Sequence, residues 1–270
     1  MQPRGRPRGT RLSRGFVSPA ERARALEWLG TLHPLWEHRF STVRPVPTGE
    51  TQRMLHRPVY WFGNWQFACL GYYTPPHGVA QRCVRAEPFP ELLQGWAARI
   101  EAQVRDTFPA AFVPERWRLN TCLVNFYGSR VDPDGRRHDQ ARVGAHRDFE
   151  PGPVGSISLG ERALFQFTTR AGEVVEQLWL EDRSLIVFAG PHHKDKWFHR
   201  VQRVARDGGH ELPPPIPGFS TRRVNFTFRY VPDEVVVDLA ELGPTPRADV
   251  AELVDELARS SPYWSGARGG

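Results

Sequence analysis

Residues 223–230, Arg-Val-Asn-Phe-Thr-Phe-Arg-Tyr, decide the fold, because polar and apolar side chains alternate along them without interruption. Alternation at every second residue predicts a β-strand with one buried apolar face and one polar face. The polar face carries two arginines and no acid. If that face points into a barrel, the guanidinium groups need an anion, and a dicarboxylate spanning them would supply one. The alternative is an edge strand whose polar face is solvated.

Seven short segments upstream also have strand-like patterns, and turn residues separate them. These segments are 119–127, 142–148, 156–159, 162–168, 173–180, 184–189 and 197–204. Apolar residues at helical spacing predict helices over 18–33, 90–107 and 248–258. Eight short strands with turns between them predict a sandwich or jelly roll. We therefore expect a mainly β fold with flanking helices packed on its outside.

Composition excludes several classes of protein. The 270 residues are 40% hydrophobic and 24% charged, which is ordinary for a globular chain and rules out global disorder, collagen and coiled coil. The longest apolar run is the five residues 185–189, so no membrane span is predicted. Three cysteines without a Cys-x-x-Cys spacing indicate neither a zinc ribbon nor a disulfide framework. We expect a cytoplasmic, reducing location and no membrane partner.

The positive charge is concentrated at the N-terminus. Net charge is +6, and residues 1–20 hold five arginines and no acid, which leaves +1 (six minus five) for the rest of the chain. Residues 1–17 are predicted to be a disordered Arg-rich tail, because Pro, Gly and Arg dominate without periodicity. Such an arm suits a polyanion such as nucleic acid, or it is a solvated extension without a role.

The segment His146-Arg147-Asp148 is a candidate metal-binding motif. In a strand, His146 and Asp148 would share a face and provide two ligands of a site with two histidines and one carboxylate. A third ligand must come from a distant strand, and four downstream histidines compete: His192, His193, His199 and His210. We select His199, because it lies in a strand-like run that can hold a ligand rigidly. The alternative is a core histidine bonded to backbone.

Another candidate is Asn125-Phe126-Tyr127, whose amide and phenol share a strand face and could bind carboxylate oxygens. The order of these motifs resembles the AlkB family of Fe(II)- and 2-oxoglutarate-dependent dioxygenases. The segments that carry the resemblance are 125–127, 143–150, 156–160, 197–199 and 223–229. The match covers about residues 118–231, with weaker likeness back to residue 57, and the Arg-x-Asn-x-Thr-Phe-Arg segment is its most specific part.

The resemblance implies a double-stranded β-helix with Fe(II) as cofactor and 2-oxoglutarate and O2 as cosubstrates. The implied iron ligands and catalytic residues are His146, Asp148 and His199. The implied cosubstrate residues are Arg223 at the distal carboxylate with Tyr127, Arg229 at the iron-chelating end with Asn125, and Asn225 and Thr227 along the pocket. The implied reaction is oxidative dealkylation of N-alkylated bases in DNA or RNA.

A base modified in this way must leave the stack and enter a pocket lined with aromatic side chains. The aromatic segment 59–73 is the region of the resembled family's nucleotide-recognition lid, and Trp61 and Tyr73 are the predicted base contacts. Glu150, placed on the strand face of Asp148, is predicted to face the same cavity and accept from an exocyclic amine. Alternatively, these aromatics pack in the core and Glu150 bonds a neighbouring strand.

Four parts of the chain are distinguished. They are the tail 1–17, the N-terminal helices and aromatic lid 18–117, the β-helix core 118–232, and a C-terminal extension with a short helix, 233–270. Within the core, residues 131–140 are predicted to be a polar hairpin that either contacts nucleic acid through Arg136 and Arg137 or is simply solvated.

Three other functions compete with nucleobase dealkylation. The same chemistry could act on a protein side chain or small molecule, which the near-neutral core favours. A zinc hydrolase could use the same ligands, but it has no need of two arginines on one strand. A silent nucleic-acid-binding module is disfavoured by the intact motifs. We expect a monomer.

Overall fold

The computed structural model describes residues 9–36, 38–39, 53–54, 57–65, 81, 83–148, 150–202 and 211–267. Its strands are β1 (Thr10–Ser13), β2 (His38–Arg39), β3 (Arg53–Met54), β4 (Val59–Phe62), β5 (Asn64–Trp65), β6 (Cys83–Arg85), β7 (Thr121–Val131), β8 (Arg137–Asp139), β9 (Val143–His146), β10 (Val154–Gly160), β11 (Ala163–Thr168), β12 (Val174–Leu180), β13 (Ser184–Phe188), β14 (Phe198–Gln202), β15 (Phe219–Arg229) and β16 (Val236–Val237). Its α-helices are α1 (Pro19–Leu29), α2 (Glu91–Thr107), α3 (Pro244–Leu257) and α4 (Pro262–Ala267).

Two antiparallel sheets form the body of the molecule. The major sheet has the order β1-β13-β10-β15-β7-β4, with β8 paired to the far end of β7. The minor sheet has the order β12-β11-β14-β9. From β9 to β15 the chain passes repeatedly from one sheet to the other, as in β9 to β10, β10 to β11 and β12 to β13, while β11 and β12 are neighbours in the minor sheet. The predicted double-stranded β-helix is confirmed.

Strand β15 shows why the alternating pattern matters. Its apolar side chains belong to the main hydrophobic core, where Phe226 is fully buried between Trp28 of α1 and Trp96 of α2. Helices α1 and α2 therefore cover the outer face of the major sheet. The polar residues of β15 point the other way and line the space between the sheets.

The helices begin close to where the sequence predicts. Helix α1 starts with a capping box, in which Ser18 accepts from the backbone N–H of Glu21 and Glu21 accepts from that of Ser18. Helix α3 begins at Pro244, four residues before the predicted start, with proline in its first turn. The small sheet β16-β6-β5 joins the C-terminal segment to the body, and Trp264 of α4 packs edge-on against Trp65.

The predicted disorder of residues 1–17 is wrong for residues 9–17. Strand β1 pairs antiparallel with β13, with Thr10 opposite Phe188, and Gly9 accepts a hydrogen bond from the N–H of Ala189. The sequence gives little hint of this strand because its stability comes from the backbone groups of an otherwise unpaired sheet edge. The remainder of the predicted tail, residues 1–8, lies outside the described residues. Among the described helices, none has both the length and the apolarity needed to cross a membrane.

Candidate active site

A cavity of about 1070 Å³ lies between the two sheets. The major sheet lines it with polar residues of β7 and β15, and the minor sheet lines it with residues of β9 and β14. Among the predicted site residues, those that line the cavity are Trp61, Asn125, Tyr127, His146, Asp148, His199, Arg223, Asn225, Thr227 and Arg229. The cavity therefore contains both the predicted metal ligands and the predicted cosubstrate residues.

The three predicted metal ligands converge. His146 and His199 lie opposite each other on the paired strands β9 and β14, and their ring centroids are 4.2 Å apart. Asp148 Oδ2 lies 3.6 Å from His199 Nε2. One candidate ligand atom from each of the three residues lies within 4.8 Å of the other two. This is the only such group of metal-ligating side chains in the described part of the chain.

Asp148 reaches this position by a different route from the predicted one. Strand β9 ends at His146, so the carboxylate is not placed by strand alternation but by contacts made beyond the strand end. Arg229 of β15 donates to Asp148 Oδ1 from Nε (3.0 Å) and Nη2 (2.8 Å). The ammonium of Lys194 donates to the backbone carbonyl of Asp148. Asp148 Oδ2 has no hydrogen-bond partner among the described residues, which leaves it available to a cation.

His146 is held in the orientation of a metal ligand. Its Nδ1 lies 2.8 Å from the carbonyl oxygen of Gly144, and because a carbonyl can only accept, Nδ1 carries the proton. Nε2 is then the unprotonated nitrogen that can bind a metal, which is the usual role of such a second contact. The other candidate histidines are engaged elsewhere or outside the described residues. His193 bonds Glu176 at 2.7 Å, His192 packs on Trp197, and His210 is not described.

The protonation states suit a divalent cation. Burial would raise the pKa of Asp148, but the positive charge of Arg229 outweighs this effect, and the pKa lies well below its usual value. Burial, assisted by His146, lowers the pKa of His199 to about 3. Burial also lowers the pKa of His146. At neutral pH the site therefore offers one carboxylate and two neutral imidazoles, the donor set of non-haem Fe(II).

Arg223 is the second polar centre of the cavity. Its side chain is buried, and Nη2 donates to Ser158 Oγ at 3.1 Å. Its Nε and Nη1 have no hydrogen-bond partner among the described residues. Its guanidinium carbon lies 4.7 Å from the centre of the Tyr127 ring. A buried cation with two donors that no described residue occupies is suited to an anionic ligand, since leaving such donors unpaired is costly.

The remaining polar residues of β15 form a network that fixes the pocket wall. Asn225 Nδ2 donates to Ser156 Oγ (2.7 Å) and to the carbonyl of Ile157 (2.9 Å). Thr227 Oγ1 donates to Asn225 Oδ1 at 2.7 Å. Several hydrogen-bonding groups of Asn225 and Thr227 are therefore engaged with β10 and with each other. The strand face itself carries no acid, and Arg229 takes its counter-charge from Asp148, which lies beyond the end of β9.

Sequence reasoning missed Arg57. Its Nε donates to Asn125 Oδ1 at 3.0 Å, and its guanidinium carbon lies 5.0 Å from the centre of the Tyr127 ring. Two arginines, Arg57 and Arg223, thus contact one tyrosine in the cavity. An isolated arginine before a proline belongs to no local sequence pattern that predicts its position. Its position beside Asn125 follows only from the pairing of β4 with β7.

The predicted substrate residues have three different outcomes. Trp61 lines the cavity from β4, where it is 4% exposed. Tyr73 lies outside the described residues. The predicted position of Glu150 is wrong: it lies in a bend beyond β9, is absent from the cavity lining, and its carboxylate is 3.6 Å from Arg229 Nε. The alternative prediction, a bond to a neighbouring strand, describes it better.

Comparison with known families identifies the class of protein. The family described as the 2OG-Fe(II) oxygenase superfamily matches residues 9–229. The chain belongs to this superfamily. It is therefore a dioxygenase that uses Fe(II), with 2-oxoglutarate and O2 as cosubstrates, and these predictions are confirmed.

The other comparisons add little to this identification. The oxygenase is similar to a solved structure described as "The structure of OsALKBH1", with 19% sequence identity and a TM-score of 0.49. The alignment covers 83% of this chain and 99% of that one. No curated protein matches the chain.

Proposed function

We propose that this oxygenase removes alkyl groups from N-alkylated bases in nucleic acid, with His146, Asp148 and His199 as its iron ligands. The observation that carries the proposal is the content of one cavity. A group of two imidazoles and one carboxylate lies at one side, and a buried arginine with two unused donors lies at the other. A hydrolase has no use for the second feature, whereas a bound 2-oxoglutarate needs both.

The donor set fits Fe(II), and the roles of the surrounding residues follow from it. When bound, the iron supplies the oxidising chemistry that cleavage of an alkyl C–H bond requires, because such a bond is not open to acid–base catalysis by side chains. Arg223 would pair with the distal carboxylate of 2-oxoglutarate, and Tyr127 would support it. Arg229 would keep Asp148 ionised and oriented, because it donates two hydrogen bonds to Oδ1 and leaves Oδ2 for the metal.

The charge of the cavity supports an anionic substrate. Its lining includes six arginines and two acids; they are Arg57, Arg137, Arg142, Arg200, Arg223, Arg229, Asp139 and Asp148. Both acids are already paired, Asp139 with Arg222 and Asp148 with Arg229. The chain beyond residue 20 is nearly neutral in total, but the lining of its cavity is positively charged. A positive cavity is expected for a nucleic-acid substrate.

The nature of the substrate also rests on the resemblance of five ordered motifs to the AlkB family and on the aromatic wall at Trp61. A base stacked on an aromatic side chain gains about 1–3 kcal/mol. The second candidate is the same chemistry on a protein side chain or small molecule. This second candidate is favoured by the burial of Trp61. A ring that is only 4% exposed offers little surface for stacking unless neighbouring side chains move.

A succinate-release assay separates these candidates. Protein with Fe(II), ascorbate and 2-oxoglutarate is assayed with and without an oligonucleotide that contains 1-methyladenine or 3-methylcytosine. We expect succinate and formaldehyde to form in step with the repaired base. Arg223→Ala should strongly raise the 2-oxoglutarate concentration required, and Arg24→Ala, an exposed arginine of α1, is the matched control. Turnover only with a non-nucleic substrate would replace the first candidate by the second.

A further inference from the structure

The segment between β7 and β9 leads from the major sheet to the minor sheet and contributes to the wall of the cavity. Strand β7 continues to Val131, turns, and returns as β8, which pairs with the end of β7. The chain then passes to β9, the strand that ends at His146. We call residues 130–142 the rim hairpin. Its residues Arg137, His138, Asp139, Gln140 and Arg142 all line the cavity.

The acids of the rim hairpin are already used within the protein. Asp132 bonds His138 at 2.6 Å, and Asp134 lies 3.3 Å from Arg136. Asp139 bonds the buried Arg222 at 3.1 Å. Arg137 and Arg142, by contrast, are exposed and have no ion pair with any described residue. Two positive charges therefore face the opening of the cavity without an internal counter-charge.

The rim hairpin is held in place by a buried polar network. Arg222 is 9% exposed and donates to Asp139, to Glu161 at 3.1 Å and to the hydroxyl of Ser129. The backbone N–H of Gln140 donates to the carbonyl of Gly128 at 2.7 Å. Buried ion pairs add little net stability, because desolvation offsets their attraction. What this network supplies is a fixed position for the arginines that precede and follow Asp139.

We propose that Arg137 and Arg142 bind the phosphodiester backbone of the substrate beside the nucleotide whose base enters the cavity. The inference rests on the proposed action on nucleic acid and names the part of the chain that recognises the polymer. Phosphates follow one another along a strand, so two cations fixed on one side of an opening can bind the backbone while a base is turned inward. These contacts carry no sequence information, so they favour no particular neighbouring base.

Binding as a function of salt tests the proposal, since each lost phosphate contact on single-stranded nucleic acid reduces the slope of log K against log salt by about 0.7. The probe is a single-stranded oligonucleotide containing one 1-methyladenine. The double variant Arg137→Ser/Arg142→Ser should bind it about tenfold more weakly at low salt and lose about 1.4 in slope. The double variant Arg137→Lys/Arg142→Lys should keep most of the slope. A control pair, Arg24→Ser/Arg116→Ser, removes two exposed arginines that do not line the cavity.

A second substrate separates the rim hairpin from the chemistry. The nucleoside 1-methyladenosine has the base but no phosphate. We expect the Ser double variant to raise KM for the oligonucleotide and to leave turnover of the nucleoside unchanged. An unchanged salt slope, or an equal loss in the control pair, would overturn the proposal. If neither alkylated substrate yields succinate, the proposed function fails, and the salt slope of oligonucleotide binding still decides the role of the rim hairpin.

Discussion

The two sheets that enclose the cavity are supported very differently. The major sheet is backed by α1 and α2, and ten of the eleven residues of β15 are buried. The minor sheet has a separate, smaller core, and its edge strand β12 exposes Val174, Val175 and Trp179 by 40% or more. The proposed cosubstrate residues lie on the major sheet, and the two histidines proposed as iron ligands lie on the minor sheet. The positions of the proposed metal ligands are therefore determined more by local polar contacts than by packing in the main core.

Removal of a metal ligand should have the largest effect. We expect His146→Ala and Asp148→Ala each to abolish succinate formation and iron binding, because only two of three ligands would remain. The fold should survive, since the main core lies on the other side of the major sheet. Circular dichroism and iron content are measured on the same samples. His33→Ala, a histidine bonded to Glu256 outside the cavity lining, is the control, and turnover in either ligand variant would show that the ligand assignment is wrong.

Lys194 should come next. It lies in a six-residue π-helical turn, Pro191–Lys196, where it is 6% exposed and bonds the carbonyl of Asp148. We expect Lys194→Met to weaken Fe(II) binding about 10- to 100-fold, as is typical when a contact behind a ligand is lost. Lys196→Met changes an exposed lysine of the same turn and should leave the affinity unaltered. Equal affinities in the two variants would mean that Lys194 only fills space.

A matched pair of core substitutions should give the smallest effect and compares the two sheets directly. Phe226 and Phe167 are both fully buried, the first between Trp28 and Trp96 and the second beside His199. We expect Phe226→Leu and Phe167→Leu each to lower the free energy of unfolding by about 1–2 kcal/mol. Only Phe167→Leu should also weaken iron binding. Urea unfolding and iron titration measure the two quantities, and equal losses of iron affinity would remove the distinction between the sheets.

Local periodicity explains what could be predicted from the sequence. The alternation along β15 placed Arg223, Asn225, Thr227 and Arg229 on the cavity face, because side-chain direction in a strand depends only on position along it. The choice of His199 over three other histidines rested on the same signal and led to the residue that converges with His146 and Asp148.

Positions that depend on distant partners could not be predicted. Strand β1 exists because β13 offers an edge, and Arg57 reaches Asn125 because β4 pairs with β7. Glu150 was misplaced because alternation was extended past the end of β9, where the chain leaves the sheet. In each case the deciding contact joins segments that the sequence keeps far apart, and periodicity carries no information about it.

The pairing of β1 with β13 has a consequence for biosynthesis. Thr10 pairs with Phe188, so β1 cannot form its hydrogen bonds with β13 until roughly 180 further residues have been synthesised. At a translation rate of about 5–20 residues per second, that delay is about 10–35 s. The N-terminal segment must stay unpaired for this time, and the nascent chain is exposed to chaperones and proteases until its last barrel strands leave the ribosome.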